Sequence, residues 1–446
     1  MAGRGGLSGR RADRGRDAGR GAGRRRPPPL ARPRPRCGGD GGAAADHAGH
    51  PGGTIVKALI CGAGIAGLTL AWHLERAGWE VELVERAAAF RDGGYMIDFY
   101  GPGHQVARRM GLLPRLLDVR YPVGEVGYVD RRGRHTSGLT LPSDMEDIMS
   151  LLRGDLARVI AGEVRAPITY GASVASFDQH AEGVSIRLTD GTSRAADLLV
   201  GADGTRSRVR ELAFGDVAPR FLGHHVAAFT LRDARLSEQI GTRYQMLTEP
   251  GVMAGAYALR DGRLSLLFLR RDPDPALPGD PVAELRRAFG ERGWILPEVL
   301  ARCPGPPELY YDLVTQVEME RWHAGRVALV GDACQAVSLF AGQGASMAMA
   351  GAWVLADELT ADGDLHGALG RYQERMAPSI AEVQRFGRRF IEWMAPSHRW
   401  RIAVRHLMLR LTALPGADRL LVNSLSPGGH RLISGRSHVL ESVRED

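Results

Sequence analysis

The hydrophobic positions of residues 54–86 follow two different periods within one short stretch. An apolar run with β-branched members at 55–61 is typical of a buried parallel strand. Three glycines lie within 62–67, and the apolar residues after them recur at helical spacing until Ala77-Gly78. Residues 81–85 are again extended and apolar. The pattern therefore predicts a strand, a tight turn, a helix and a second parallel strand.

Two other patterns extend this picture. Residues 194–214 and 326–359 each contain an apolar strand, a glycine turn and a helix. Strand-like segments with turn residues between them occupy 123–139 and 224–271. The stretch 385–425 carries apolar residues at helical spacing with arginines between them. We interpret it as a long helix that bridges two domains, because its leucines and tryptophans need a core; a membrane-surface helix is the alternative.

Composition places the chain among globular proteins. The 446 residues are 44% hydrophobic and 24% charged, which is ordinary for such proteins, and no apolar run is long enough to span a membrane. The four cysteines lack paired spacing, so we expect neither a disulfide framework nor a metal site. A reducing cytoplasm is the expected compartment.

The net charge of +7 comes from one segment. Residues 1–52 hold twelve arginines and four aspartates, which leaves the remainder close to neutral at −1. This Arg/Gly/Ala/Pro-rich segment is expected to be disordered. RNA binding through it is an alternative function, but we favour a non-functional extension and no nucleic-acid partner.

The turn at 62–67 has the features of a dinucleotide site. Gly62 permits the tight turn, Gly64 lets a pyrophosphate approach the backbone, and Gly67 lets the helix pack closely on the strand. Ile65 and Ala66 begin the helix, whose N-terminal amides attract phosphate. An acid follows at the end of the second strand, at Glu85-Arg86, where it can accept hydrogen bonds from ribose hydroxyls and disfavours a 2′-phosphate. FAD and NAD both remain open at this point.

Two later motifs indicate which of these two dinucleotides binds, through a resemblance to a known family. Asp203-Gly204 follows one strand, and Gly331-Asp332 follows another. With the glycine turn, these motifs stand in the order and spacing that resemble the group A flavoprotein monooxygenases, the para-hydroxybenzoate hydroxylase-like family. The segments "GGYMIDFYGPG" (93–103) and "AGQG" (341–344) resemble its tetracycline-degrading branch. The resemblance covers roughly residues 54–395.

The resemblance implies FAD as the cofactor, with NADPH or NADH as co-substrate. It places Arg153 near the pyrophosphate or adenosine, Asp332 on a ribityl or ribose hydroxyl, and Asp203 near FAD and NADPH, although Asp203 could also simply cap the next helix. The residues assigned to the surroundings of the flavin ring are Gly342, Gly344, Ala345 and Ser346.

The implied reaction inserts one oxygen atom from dioxygen into a hydrophobic small molecule, aromatic or polyketide-like, lying at the boundary of the two domains. A flavin-dependent reductase of the same fold is the alternative. Pocket candidates are Tyr95, Met96 and Phe99, for which core packing is equally plausible. No catalytic group is assigned; His224 and His225 are weak candidates for deprotonating a phenol.

These expectations amount to an α/β fold: a Rossmann-like FAD-binding domain, a β-sheet substrate domain and a C-terminal bridging helix. We expect the FAD-binding domain at 54–92, 150–215 and 310–375, the substrate domain at 93–149 and 216–309, and a helical region at 376–446. The protein is expected to act as a monomer or homodimer without integral membrane contact.

Overall fold

The computed structural model describes residues 56–90, 95–140, 148–361 and 364–411. The Arg/Gly-rich segment 1–52 and the end of the predicted C-terminal region lie outside these residues. The strands are β1 (Lys57–Cys61), β2 (Glu80–Glu85), β3 (Met96–Phe99), β4 (Glu125–Val129), β5 (His135–Thr140), β6 (Met149–Leu152), β7 (Ile168–Tyr170), β8 (Val174–His180), β9 (Gly183–Leu188), β10 (Ser193–Ala196), β11 (Leu198–Gly201), β12 (Arg220–Arg232), β13 (Arg243–Glu249), β14 (Val252–Leu259), β15 (Arg263–Arg271), β16 (Tyr310–Gln316), β17 (His323–Ala324) and β18 (Val327–Leu329).

Twelve α-helices connect these strands in the described part of the chain. They are α1 (Ile65–Arg76), α2 (Pro102–Arg109), α3 (Leu113–Val119), α4 (Arg153–Ala161), α5 (Arg208–Phe214), α6 (Ala234–Ile240), α7 (Pro281–Phe289), α8 (Leu296–Ala301), α9 (Asp332–Gln335), α10 (Gly344–Ala361), α11 (Leu365–Met394) and α12 (Arg399–Leu411).

The first sheet has the strand order β17-β18-β11-β1-β2-β7, and all its pairings are parallel except that of β17 with β18. Its central strands are buried on both faces, as their continuous apolar sequences predict. A small antiparallel sheet has the strand order β10-β9-β8, and its strands lie between β7 and β11 in the sequence. The predicted strand–turn–helix–strand unit over 54–86 is confirmed by β1, α1 and β2.

The second sheet has seven strands in the order β16-β12-β15-β14-β13-β4-β5. Side chains alternate between its faces, as strand geometry requires. The outer face packs on α6, α7 and α8 through Ala227, Phe268 and Phe289. The opposite face, here called the inner face, carries Val226, Tyr244, Met246, Met253, Tyr257 and Leu269.

The inner face is covered by elements from several parts of the chain. One hydrophobic cluster joins it to Met96 of β3, to Phe340 before α10, and to residues near the end of α11. The earlier half of α11 packs instead in the core of the first sheet, through Leu369 and Tyr372 among others. The bridging role belongs to α11, which contacts both cores over its 30 residues. The stretch predicted for this role, 385–425, supplies only the end of α11, and a separate helix, α12, begins at Arg399.

Two predicted domain boundaries differ from the observed packing. The FAD-binding segment was expected to resume at residue 310, but β16 pairs with β12 in the second sheet. Residues 93–149 were expected to belong to the substrate domain, but Val106 of α2 and Leu116 of α3 pack in the first core. Both deviations arise because strand pairing and helix docking join residues that are far apart in the sequence.

Candidate functional site

The carboxyl ends of the five parallel strands lie at one edge of the first sheet. The Gly62 amide donates to the Val84 carbonyl at 2.7 Å, and the Ala202 amide to the Cys61 carbonyl at 2.7 Å. This edge of an open parallel sheet is where α/β proteins bind their ligands. The three turns that the sequence singled out, at 62–67, 203–204 and 331–332, are therefore neighbours in space.

Each glycine of the first turn has different surroundings. Gly62 has a φ of +113°, and an added Cβ would lie 2.4 Å from the Ala202 oxygen. A Cβ on Gly67 would lie 2.0 Å from the Gly62 oxygen. A Cβ on Gly64 would meet nothing within 4 Å. The turn is thus closely packed against the protein at Gly62 and Gly67. It is open at Gly64, where the pyrophosphate of a dinucleotide would approach.

The start of α1 provides an anion site above this opening. No side chain caps the helix, and its first turn contains no acid, so the amides of Ile65 and Ala66 remain available. Glu85 stands beside the turn, with its carboxylate accepting from the Ala63 amide at 3.0 Å and the Ala87 amide at 2.8 Å. The next residue, Arg86, is exposed.

A second group of polar residues forms around Asp332. Burial raises the pKa of the Asp332 carboxyl, and the nearby charge of Arg153 partly opposes that rise. Burial also raises the pKa of Tyr95, again opposed by Arg153, and the Arg153 amide donates to the Tyr95 carbonyl at 3.1 Å. Tyr310 lies next to them, with its ring centroid 6.1 Å from that of Tyr95. Arg153, Asp332 and Tyr95, which the sequence singled out separately, are therefore brought together.

The loop before α10 approaches the same edge. A Cβ on Gly331 would lie 2.6 Å from the Cβ of Ala66, so this strand end packs directly on the start of α1. Gly342 adopts a left-handed conformation with φ +68°, and a Cβ on Gly344 would meet nothing within 4 Å. The following residue, Ala345, is half-buried in the first turn of α10, which contains no acid. This helix start is a second open, positively polarised end.

Two polar side chains at this loop have different surroundings. Gln343 is 1% exposed, and its side chain interacts with the Tyr100 hydroxyl, which partly opposes the rise of the Tyr100 pKa caused by burial. Ser346 is fully engaged, because its hydroxyl donates to the Tyr100 carbonyl at 2.5 Å and accepts from the Gly103 amide at 2.7 Å. Ser346 thus attaches the segment after β3 to α10, and Gln343 interacts with the same segment through Tyr100.

Asp203 caps the next helix. Its carboxylate accepts from the Ser207 hydroxyl at 2.5 Å, from the Arg208 amide at 2.7 Å and from the Val209 amide at 3.2 Å. This is the structural alternative that the sequence left open. A role of Asp203 toward a cofactor would be indirect, through the position of the turn.

The two histidines of β12 occupy opposite faces of the sheet. His225 faces the outer side near α7, and both its nitrogens are engaged, with the Tyr311 hydroxyl at 3.2 Å and the Asp274 carbonyl at 2.8 Å. The hypothesis that His225 deprotonates a substrate at the domain boundary is therefore wrong. His224 bonds the Leu222 carbonyl at 2.8 Å, and burial lowers its pKa.

The three pocket candidates are distributed between two cores. Phe99 is fully buried in the core of the first sheet, so it is a packing residue and does not line a pocket. Met96 belongs to the inner cluster, and Tyr95 is half-buried near Asp332. The structure adds Asp98 and Tyr310, which the sequence analysis missed. A lone acid within the apolar segment "MIDF" was the available signal for Asp98.

These features fit a dinucleotide with a ring system at one end. Two helix starts and two open glycines lie along one edge of the sheet. Residues 55–216 match the family model described as an FAD binding domain. A flavin-dependent monooxygenase from an unknown prokaryotic organism is 30% identical over 357 residues, covering 74% of this chain and 88% of that protein. The chain belongs to the flavin-dependent monooxygenases.

Solved structures agree with this monooxygenase assignment. The tetracycline destructase Tet(55) matches with a TM-score of 0.71 at 27% identity, covering 84% of this chain and 98% of its own. Klebsiella pneumoniae HpxO, crystallised with FAD and uric acid, matches with a TM-score of 0.70 at 22% identity, covering 83% and 95%. The FAD binding domain model over residues 55–216 identifies the flavin of this enzyme as FAD. No helix in its described ranges is long and apolar enough to cross a membrane.

Proposed function

We propose that this monooxygenase holds FAD along the carboxyl edge of the first sheet, with the pyrophosphate over Gly64 and the flavin ring near Gly344. The open space above these two glycines carries the proposal, because each lies at a helix start. The residues assigned to FAD are Gly62, Gly64, Ile65, Ala66, Gly67, Glu85, Arg86, Arg153, Asp332, Gly342, Gly344 and Ala345. Asp203 and Ser346 act by positioning the turn and the loop.

The substrate is proposed to be a hydrophobic small molecule, aromatic or polyketide-like, bound between the inner face and the start of α10. The aromatic and methionine side chains of the inner cluster support this choice. NADPH or NADH is the proposed reductant, and dioxygen supplies the inserted oxygen atom. We place the enzyme in the cytoplasm as a monomer or homodimer.

Bound FAD supplies the redox and oxygen-transfer chemistry, and the protein residues supply position and electrostatics. Amides at the start of α10 would stabilise negative charge at the edge of the ring system that they face. Arg153 would balance anionic phosphate, while Asp332 and Glu85 would accept hydrogen bonds from sugar hydroxyls. The inner cluster would keep water away from the reacting atoms.

The FAD position is tested by Gly64→Ala and Gly344→Ala. Neither added methyl group would contact protein within 4 Å, and neither glycine has a positive φ, so both variants should fold. Each should retain less FAD after gel filtration, measured by visible absorption and by mass of the released cofactor. Gly279→Ala, equally open but distant in the fold, is the matched control. Normal FAD retention in both variants would remove the proposed position.

The reaction is tested with the FAD-loaded protein. Oxidation of NADPH and of NADH is followed by absorbance. Tetracycline and uric acid are the first probes, because the names of two similar solved structures mention them. Products formed under ¹⁸O₂ are analysed by mass. An accepted probe should gain one labelled oxygen atom. Reduction of a probe without label incorporation would contradict the proposed oxygen insertion.

A further inference from the structure

The inner cluster contains a carboxylate that the reaction outlined above does not use. Asp98 lies on β3, which pairs antiparallel with β6 so that Asp98 stands opposite Ser150. Strand alternation puts Asp98 on the same side as Met96, which packs in the inner cluster, whereas Phe99 packs in the other core. The Asp98 side chain therefore points toward the inner face of the seven-stranded sheet.

The Asp98 side chain has solvent-accessible surface although its neighbours are buried. It is exposed, although Met96, Phe99 and Ser150 around it are all buried. Burial nevertheless raises the pKa of its carboxyl group, which indicates that protein surrounds it on most sides. Asp98 thus keeps accessible surface although protein surrounds it, and the inner cluster lies on its side of β3.

The charge of Asp98 has little compensation from the protein. The Ser150 hydroxyl donates to one carboxylate oxygen at 2.7 Å, and it is the one donor to Asp98 found among the described residues. No arginine, lysine or histidine forms an ion pair with it in those ranges. A carboxylate at such depth is costly unless a cation or several donors compensate it. An unsatisfied group of this kind indicates a ligand partner.

Two tyrosines of the inner face lie close to this carboxylate. Tyr244 and Tyr257 stack with ring centroids 3.8 Å apart and planes within 2°. Burial raises the pKa of both phenols, and the charge of Asp98 adds to this rise. Aromatic faces next to a carboxylate are the usual surroundings of a bound organic cation.

We propose that Asp98 is a substrate-recognition residue that binds a cationic nitrogen on the aromatic or polyketide-like substrate, with Tyr244 and Tyr257 contacting the carbon skeleton next to it. This inference rests on the proposed function, because it needs the substrate to lie between the inner face and α10. Asp98 is a positioning residue here and takes no part in oxygen transfer.

The test uses the FAD-loaded full chain and two fluorinated probes that differ in charge, 4-fluorobenzylamine and 4-fluorobenzyl alcohol. Binding is measured by ¹⁹F NMR. We expect the amine to bind at least about tenfold more tightly than the alcohol, the gain typical of one charge-assisted hydrogen bond. Asp98→Asn, which keeps the shape and removes the charge, should abolish the preference. Asp178→Asn, an exposed carboxylate on β8, is the matched control and should retain it.

Three results would overturn the proposal. The first is a wild type that does not bind the amine, or binds it no more tightly than the alcohol. The second is a preference for the amine that survives in Asp98→Asn. The third is a loss of FAD affinity in Asp98→Asn while the preference for the amine remains. The last result would place Asp98 on the cofactor. FAD content is read by absorbance on the same samples, so failure of the proposed function, seen as a protein that does not bind FAD, is distinguished from failure of this inference.

Discussion

His73 should make the folding stability of this enzyme depend on pH in a calculable way. It lies in α1 at 2% exposure, between the rings of Trp72 and Trp353, each with its centroid at 4.7 Å. Its Nε2 is buried without a partner. Burial lowers the pKa of His73 from 6.5 to about 3, and the charge of Arg76 adds to this effect. The imidazole is therefore neutral in the folded protein.

The sign follows from proton binding in the two states. Below a pH of about 6.5 the unfolded chain takes up a proton at His73 and the folded protein does not, so the free energy of unfolding falls as pH decreases. The full contribution is present above the unfolded pKa. With 1.36 kcal/mol for each pKa unit, the loss from this residue is about 2 kcal/mol between pH 8 and pH 5.

The measurement compares the wild type with His73→Phe, which keeps an aromatic ring between the tryptophans and cannot titrate. Urea unfolding is followed by tryptophan fluorescence and far-UV circular dichroism at both pH values. The difference in unfolding free energy between the two proteins should change by about 2 kcal/mol in favour of the variant at pH 5. His180→Phe, at an exposed histidine, controls for the loss of any imidazole. An unchanged difference would refute the desolvation argument.

Three further predictions concern packing. Gly67→Ala should lower the free energy of unfolding by about 3 kcal/mol and abolish FAD retention, because its Cβ would lie 2.0 Å from the Gly62 oxygen; normal FAD absorption would contradict this. Gly370→Ala, inside α11 with nothing within 4 Å of the added methyl group, should raise the unfolding free energy by about 1 kcal/mol, and a decrease would show hidden strain. Arg405→Ala should loosen α12, because it removes the stacking of the guanidinium 4.0 Å above Tyr128 and the hydrogen bond to the Trp393 carbonyl at 2.6 Å. Amide hydrogen exchange over 399–411 should then accelerate by a factor of about 100, whereas unchanged exchange would show that other contacts hold the helix.

The first turn was predictable because its constraints are local. Gly62, Gly64 and Gly67 lie within six residues, and the strand before them and the helix after them are determined by hydrophobic spacing. The hairpin turns at 131–133 and 261–262 were predictable for the same reason, since turn residues act on their own backbone. The choice of FAD over NAD depended on resemblance to a family and could not be made from this turn alone.

Other residues could not be assigned because their roles depend on distant partners. The alternation of β12 is visible in the sequence, but which face of the sheet receives α7 is not, so the direction of His225 was undetermined. Asp203 could contact a cofactor or cap a helix, and only the position of α5 decides. Arg405 is one of the arginines between the apolar residues of the stretch 385–425, and its burial at 2% exposure is visible only in the structure.

The sequence by itself determined the dinucleotide-binding turn, the order of the three motifs and the strand-rich second domain, because each follows from spacing along a short segment of chain. Only the tertiary structure decided which motifs meet at one sheet edge, that β16 joins the second sheet and that Asp98 lies near Tyr244. Burial and charge compensation depend on residues hundreds of positions apart, and no local pattern encodes them.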